Sequence, residues 1–138
     1  MRFWLLILFS LTLDASEIGG ISELQGNGEI SRRDSDKALT AELDSDIFSF
    51  DDVRTGNGRL AIEFLDESVV KLTEHSKLVI DEFIYDPDPS KSKLALNMAS
   101  GTARFITGGL GLINKENISI KTPTASIGIR GTDFTATV

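Results

Sequence analysis

From residue 47 to 138, apolar residues recur at every second position in short runs. This two-residue period restricts the segment to strands with one buried face. Leu60, Ile62 and Phe64 alternate with Ala61 and Glu63, Val70 and Leu72 bracket Lys71, and Leu94, Leu96 and Met98 alternate with Ala95 and Asn97. Leu78 and Ile80 precede Phe83 and Tyr85, and Asp86-Pro87-Asp88-Pro89 ends that run. Proline pushes the residue before it into extended or turn geometry, so a loop is expected there. Residues 102–107 and 117–121 complete the set, and no 3.6-residue stripe interrupts it. Upstream, 18–24 and 28–32 flank the turn signal Gln25-Gly26-Asn27, while 34–45 is polar and reads as a loop or a helical turn or two. The expected class is all-β, either a short β-solenoid-like module or a stacked-sheet or sandwich module. The lack of a fixed internal repeat weakens a regular solenoid.

A chain of 138 residues with 41% hydrophobic content has room for one domain with a real core. Its net charge of −7 argues against nucleic acid, whose phosphates call for clustered Lys and Arg. The acidic excess sits early: residues 1–58 hold 5 Lys and Arg against 11 Asp and Glu, whereas 59–138 hold 9 against 10. With no cysteine, disulfides, thiolate chemistry and Cys-ligated metals drop out. Arg2 followed by the apolar stretch 3–13 and Asp14-Ala15-Ser16 reads as a secretory signal with cleavage after Ala15. That stretch is shorter than a membrane span, which takes about 20 residues, so no stable span is expected. The organisation is then a signal peptide over 1–15, N-terminal strands with an acidic loop over 16–46, and a β domain over 47–138.

The segment 122–134 is dense in residues with fixed backbone roles. Pro123 belongs at a strand start or edge, Ile127 and Ile129 alternate with Gly128 and Arg130, and Gly131 breaks the pattern before Phe134 restarts it. Strand, Gly-supported turn or bulge, strand is the natural reading, with Arg130 forked onto carbonyls or a carboxylate to fix the turn. The residues Thr122, Pro123, Ala125, Arg130, Gly131, Thr132 and Phe134 form the string T-P-x-A-x-x-x-x-R-G-T-x-F. It resembles the closing signature of the FecR-type domain, named for a periplasmic regulator of iron-citrate uptake. Upstream, Asp52-Val53-Arg54-Thr55-Gly56 resembles the early D-x-V-x-T-G step, 60–66 resembles a strand ending in Asp, and 96–103, with Gly101, resembles the L-x-x-G strand. The family usually has Asp-Gly after its first long strand, and here Asp66 is followed by Glu67. A two-residue type I′ turn needs φ > 0 at both central positions, which Glu tolerates poorly, so a longer turn using Glu67 and Ser68 is expected.

Catalytic constellations are thin. His75, the single histidine, lies in an expected turn between Glu74 and Ser76 without a positioned nucleophile and acid. Asp51 and Asp52, if on a strand, face opposite sides and more readily start a turn. Asp86-Pro87-Asp88 lacks the spacing of a calcium loop, and Gly108-Gly109-Leu110-Gly111 does not open a helix as a phosphate cradle does. Arg104, Lys121 and Arg130 converge only if their strands are neighbours. No enzyme activity, cofactor or metal is expected. The FecR resemblance implies an exported periplasmic or extracellular module for sensing or for binding another envelope or extracellular protein. The alternative is a structural component of a cell envelope, extracellular or virion assembly.

Overall fold

A computed structural model describes residues 17–33, 35–84, 88, 91, 93–106, 118–123, 126–128 and 133–138, with backbone alone at 126–128, 133 and 134. The expected signal peptide, the Asp86–Pro89 loop beyond Asp88 and the glycine-rich stretch at 108–111 lie outside them.

Thirteen strands follow one another with no helix between them among the described residues. They are β1 (Gly19–Gln25), β2 (Gly28–Ser31), β3 (Ala38–Thr40), β4 (Asp46–Ile47), β5 (Asp52–Thr55), β6 (Arg59–Phe64) and β7 (Val69–Leu72). The rest are β8 (Lys77–Ile84), β9 (Lys93–Ser100), β10 (Thr102–Ile106), β11 (Ile118–Lys121), β12 (Ser126–Gly128) and β13 (Asp133–Thr137). They form a six-stranded sheet in the order β13-β10-β7-β6-β1-β4 and a seven-stranded sheet in the order β12-β11-β9-β8-β5-β2-β3. The all-β expectation holds. One detail departs from it: the polar stretch 34–45 contains the edge strand β3, paired with β2, where a loop or helical turn was expected. All three β3 residues are exposed, so no apolar alternation marks the strand, and main-chain pairing with β2 alone makes it.

The two-residue period works on most strands. On β6, Leu60, Ile62 and Phe64 are buried while Arg59 and Glu63 are exposed, but Ala61, between them, is buried as well. Where the period slips, the sheet bulges. On β8 the apolar register passes from Leu78 and Ile80 to Phe83, and the pairing with β9 shifts between Ile80 and Glu82. Buried side chains from both sheets form one apolar cluster, and the rings of Phe64 and Phe83 stack across it at 5.4 Å. Each fully buried aliphatic or Phe side chain contributes about 1.5–3 kcal/mol. The chain crosses repeatedly between the sheets. Between β9 and β11, which pair in parallel, it passes through β10 in the other sheet. Other strand pairs among the described residues are antiparallel.

The β6–β7 turn is longer than two residues, as the Glu67 substitution implied. Phe64 N–H donates to the Ser68 carbonyl at 2.8 Å and Glu67 N–H to the Phe64 carbonyl at 2.9 Å. This is a three-residue loop with a left-handed last position. Glu67 nevertheless occupies that position, at φ 69°. The buried Asp66 compensates: its carboxylate accepts the Ser68 N–H at 3.1 Å and the Ser68 hydroxyl at 2.6 Å, holding the turn shut. A glycine at 67 relieves the Cβ strain at no contact cost, because Glu67 is exposed. Glu67→Gly is therefore expected to raise stability by about 0.5–1 kcal/mol in urea unfolding. A loss of stability contradicts this account of the turn.

Candidate functional site

Two hydroxyls organise one end of the molecule. Thr55 ends β5 and Ser76 precedes β8, and both are buried. Thr55 N–H donates to the Ser76 carbonyl at 2.9 Å, and Ser76 N–H donates back to the Thr55 hydroxyl oxygen at 2.9 Å. The Thr55 hydroxyl donates in turn to the Thr73 carbonyl at 2.6 Å, just beyond β7. Thr102 N–H, at the start of β10, donates to the Ser76 hydroxyl oxygen at 3.1 Å, and Thr73 N–H donates to the Thr102 carbonyl at 3.1 Å. Strands β5 and β8 belong to the seven-stranded sheet and β7 and β10 to the six-stranded one. The junction thus sews the two sheets together where the chain passes between them, and satisfies buried backbone groups that no ladder reaches.

Gly101 makes the closest approach in this junction. It lies between β9 and β10 with φ 85°, and a Cβ there would sit 2.6 Å from the Ser76 Cα. Only glycine fits. Gly56 joins through its backbone: its N–H donates to the Asn27 carbonyl at 3.1 Å, and its carbonyl accepts the His75 N–H at 2.9 Å. His75 sits in a turn as expected, at φ 54°, and its ring is exposed. Val138 N–H donates to the Gly101 carbonyl at 2.9 Å, bringing the chain beyond β13 to the same place.

The far end of β5 carries a second buried polar group. Asp51 is 1% exposed and immediately precedes the strand. Its carboxylate accepts the Phe48 N–H at 2.9 Å and faces the Arg32 guanidinium at 3.8 Å. Arg32 lies over the Phe48 ring at 4.7 Å and donates to the Asp46 carbonyl at 3.0 Å. Beside it, Arg33 stacks on Phe50 at 4.6 Å, and Phe50 takes the left-handed conformation with φ 69°. Asp52 points the other way and pairs with Arg54 at 3.1 Å and Lys77 at 3.6 Å. The two adjacent carboxylates do split between faces, with Asp51 closing the turn. The D-x-V-x-T-G spacing fits Asp51 rather than Asp52 as its aspartate, and burial marks the same residue. Sequence reading also missed Ser76 and Thr102, which no local pattern distinguishes from other strand-end hydroxyl residues.

Of the closing signature, Thr122 and Pro123 lie between β11 and β12, with Pro123 exposed in a bend. Phe134 lies on β13 opposite Phe105 on β10. Ala125, Arg130, Gly131 and Thr132 fall outside the described residues. Among the described strands on either side, β12 pairs with β11 and β13 with β10, in different sheets. Arg104 and Lys121 do not converge: β10 lies in the six-stranded sheet and β11 in the seven-stranded one. Among the described residues no group of three or more His, Asp or Glu side chains is placed to hold a metal ion, and no helix is long and apolar enough to cross a membrane.

Thr55→Val keeps the shape but strands the Ser76 N–H, and is expected to cost about 1–3 kcal/mol, with Thr55→Ser costing much less. Equal losses in both variants, measured by urea unfolding, contradict the junction. Burial pushes the Asp51 carboxyl above its ordinary value, against the lowering pull of the Phe48 N–H and Arg32. A raised acid contributes stability that is complete below the unfolded value and is lost as pH rises through the folded one. Relative to Asp51→Asn, the wild type is therefore expected to weaken as pH climbs above the ordinary aspartate value of about 3.9. A flat or opposite difference in pH-dependent unfolding refutes that sign.

No curated protein and no solved structure matches the chain. The sequence model of the family described as FecR protein matches residues 51–138. That span takes in the closing signature and opens on Asp51, which with Thr55, Gly56, Asp66 and Gly101 carries the described turns and junction. The chain belongs to the FecR protein family.

Proposed function

We propose that this chain is an exported, non-enzymatic module that senses or binds another protein of the cell envelope or extracellular space. The observation that carries the reading is how the family's motif residues are used. Asp51, Thr55, Gly56, Asp66 and Gly101 are committed to turns and to the junction between sheets, through backbone bonds and close approach. Residues spent this way maintain a shape. A frame of stacked sheets held at one end by a buried polar junction presents its outer sheet faces and its edge strands β13, β4, β12 and β3 as recognition surfaces. The parallel pairing of β9 with β11 across β10 favours a solenoid-like reading of that part, and the shared core favours the stacked-sheet one.

Export and binding are tested separately. Mass measurement on protein recovered from whole cells is expected to show loss of about fifteen residues, as for a short signal peptide. An intact Met1 in a cytosolic fraction contradicts export. Mild crosslinking in envelope extract is expected to recover one dominant protein partner, and recovery of none contradicts the interaction role.

A further inference from the structure

The tripeptide Gly-Asn-Gly occurs twice, as Gly26-Asn27-Gly28 at the β1–β2 turn and as Gly56-Asn57-Gly58 at the β5–β6 turn. The two turns lie against each other beside the junction. A Cβ on Gly26 would meet the Gly58 Cα at 2.8 Å, and one on Gly58 would meet the Asn27 main-chain nitrogen at 2.7 Å, so position 58 has to be glycine. Asn27 and Asn57 are both exposed. Asparagine is a thermolabile residue. Before glycine it is most reactive, because the glycine amide nitrogen has no side chain to shield it from the asparagine side-chain carbonyl carbon, Cγ. Attack requires the peptide joining the two residues to turn its nitrogen toward Cγ.

Local sequence makes the two sites equal, and backbone hydrogen bonds make them unequal. The Asn27 carbonyl accepts the Gly56 N–H at 3.1 Å, and the Gly28 carbonyl accepts the Ala41 N–H at 2.8 Å. Gly28 also pairs with Thr55 across β2 and β5. The Asn27–Gly28 peptide is therefore held against rotation. At the other turn the bonds flank the reactive peptide and leave it out. Gly56 is fixed through Asn27 and through the His75 N–H at 2.9 Å, and Arg59 pairs with Gln25. Among the described residues, none donates to the Asn57 carbonyl and none accepts the Gly58 N–H.

We infer that Asn57 is a site of spontaneous deamidation in the folded protein, and that the fold protects Asn27. The Gly58 nitrogen bonds to Asn57 Cγ, the Cγ–Nδ2 bond breaks, and ammonia leaves carrying the Gly58 amide proton. Water, the one co-reactant, then opens the cyclic imide. Opening at Cγ gives aspartate. Opening at the main-chain carbonyl gives isoaspartate, whose main chain runs through the former side chain and is longer by one carbon. Both products add a carboxylate, but only isoaspartate pushes Gly56 and Arg59 apart and loosens the Gly56 bonds to Asn27 and His75. This inference is independent of the interaction role above.

The full chain, incubated in mildly alkaline buffer and mapped by peptide mass spectrometry, is expected to deamidate at Asn57 at least about tenfold faster than at Asn27, the protection given by one hydrogen bond that must open first. In urea the two rates are expected to converge, since the tripeptides are the same. Equal rates in the folded protein, a faster Asn27 or no product at Asn57 overturns the inference. So does a difference that persists in urea, which assigns the selectivity to sequence and not to the fold. The purified isoaspartyl form is expected to unfold at lower urea than Asn57→Asp, which carries the same charge on an unlengthened chain. Equal midpoints overturn the link to the junction.

Discussion

The hydrogen bonds exchanged between Thr55 and Ser76 are what the rest of this molecule depends on. A two-sheet protein must carry its chain from one sheet to the other, and each crossing strands backbone donors and acceptors that no ladder can pair. Here the crossings after β5, β7 and β9 meet at one end, and two buried hydroxyls serve them together. Each hydroxyl both accepts and donates, so Thr55 spans from Ser76 N–H to the Thr73 carbonyl, and Ser76 receives Thr102 N–H. Gly101 lets the backbone come close enough for this to happen. The apolar cluster supplies the bulk of the stabilisation, but it is non-directional and does not choose which strands neighbour which. The junction makes that choice.

The opposite ends of the strands are closed by a different device. Asp51 and Asp66 each use a buried carboxylate to accept a nearby backbone N–H and fix a turn. Strain collects at these turns and in the junction, with Phe50, Glu67 and His75 all in the left-handed region. These three residues, like Asp44 at φ 66°, carry a real cost, of order 1–2 kcal/mol each. The surroundings hold them there by backbone bonds: Phe50 N–H to the Ile80 carbonyl, Glu67 N–H to the Phe64 carbonyl and His75 N–H to the Gly56 carbonyl.

Much of this was legible in the sequence because the signals are local. The alternation on β6, β7 and β9 reports a buried face directly, and the slip from Ile80 to Phe83 reports a bulge. Glu67 in place of the expected glycine announced a longer turn, although not that Glu67 itself would adopt φ > 0. Strand β3 was invisible because its residues are all exposed and carry no alternation. The junction was invisible for a stronger reason. Its members are separated by up to 47 positions, from Thr55 to Thr102, and become neighbours only through sheet topology. A threonine at the end of a strand looks the same whether its hydroxyl meets water or a buried amide. The opposition of Lys71 and Arg104 also depends on register, since the two meet only because β7 and β10 pair.

Amide hydrogen exchange at Ser76 and Thr102, followed by NMR, tests the central claim most directly. Both N–H groups bond to side-chain hydroxyls rather than to a strand ladder. If the junction holds the sheets together, these two amides exchange only on global unfolding, as slowly as the ladder amides of β6 and β8. Rapid exchange at Ser76 and Thr102 while β6 and β8 stay protected would show that the junction opens without consequence, and that the core alone sets the fold.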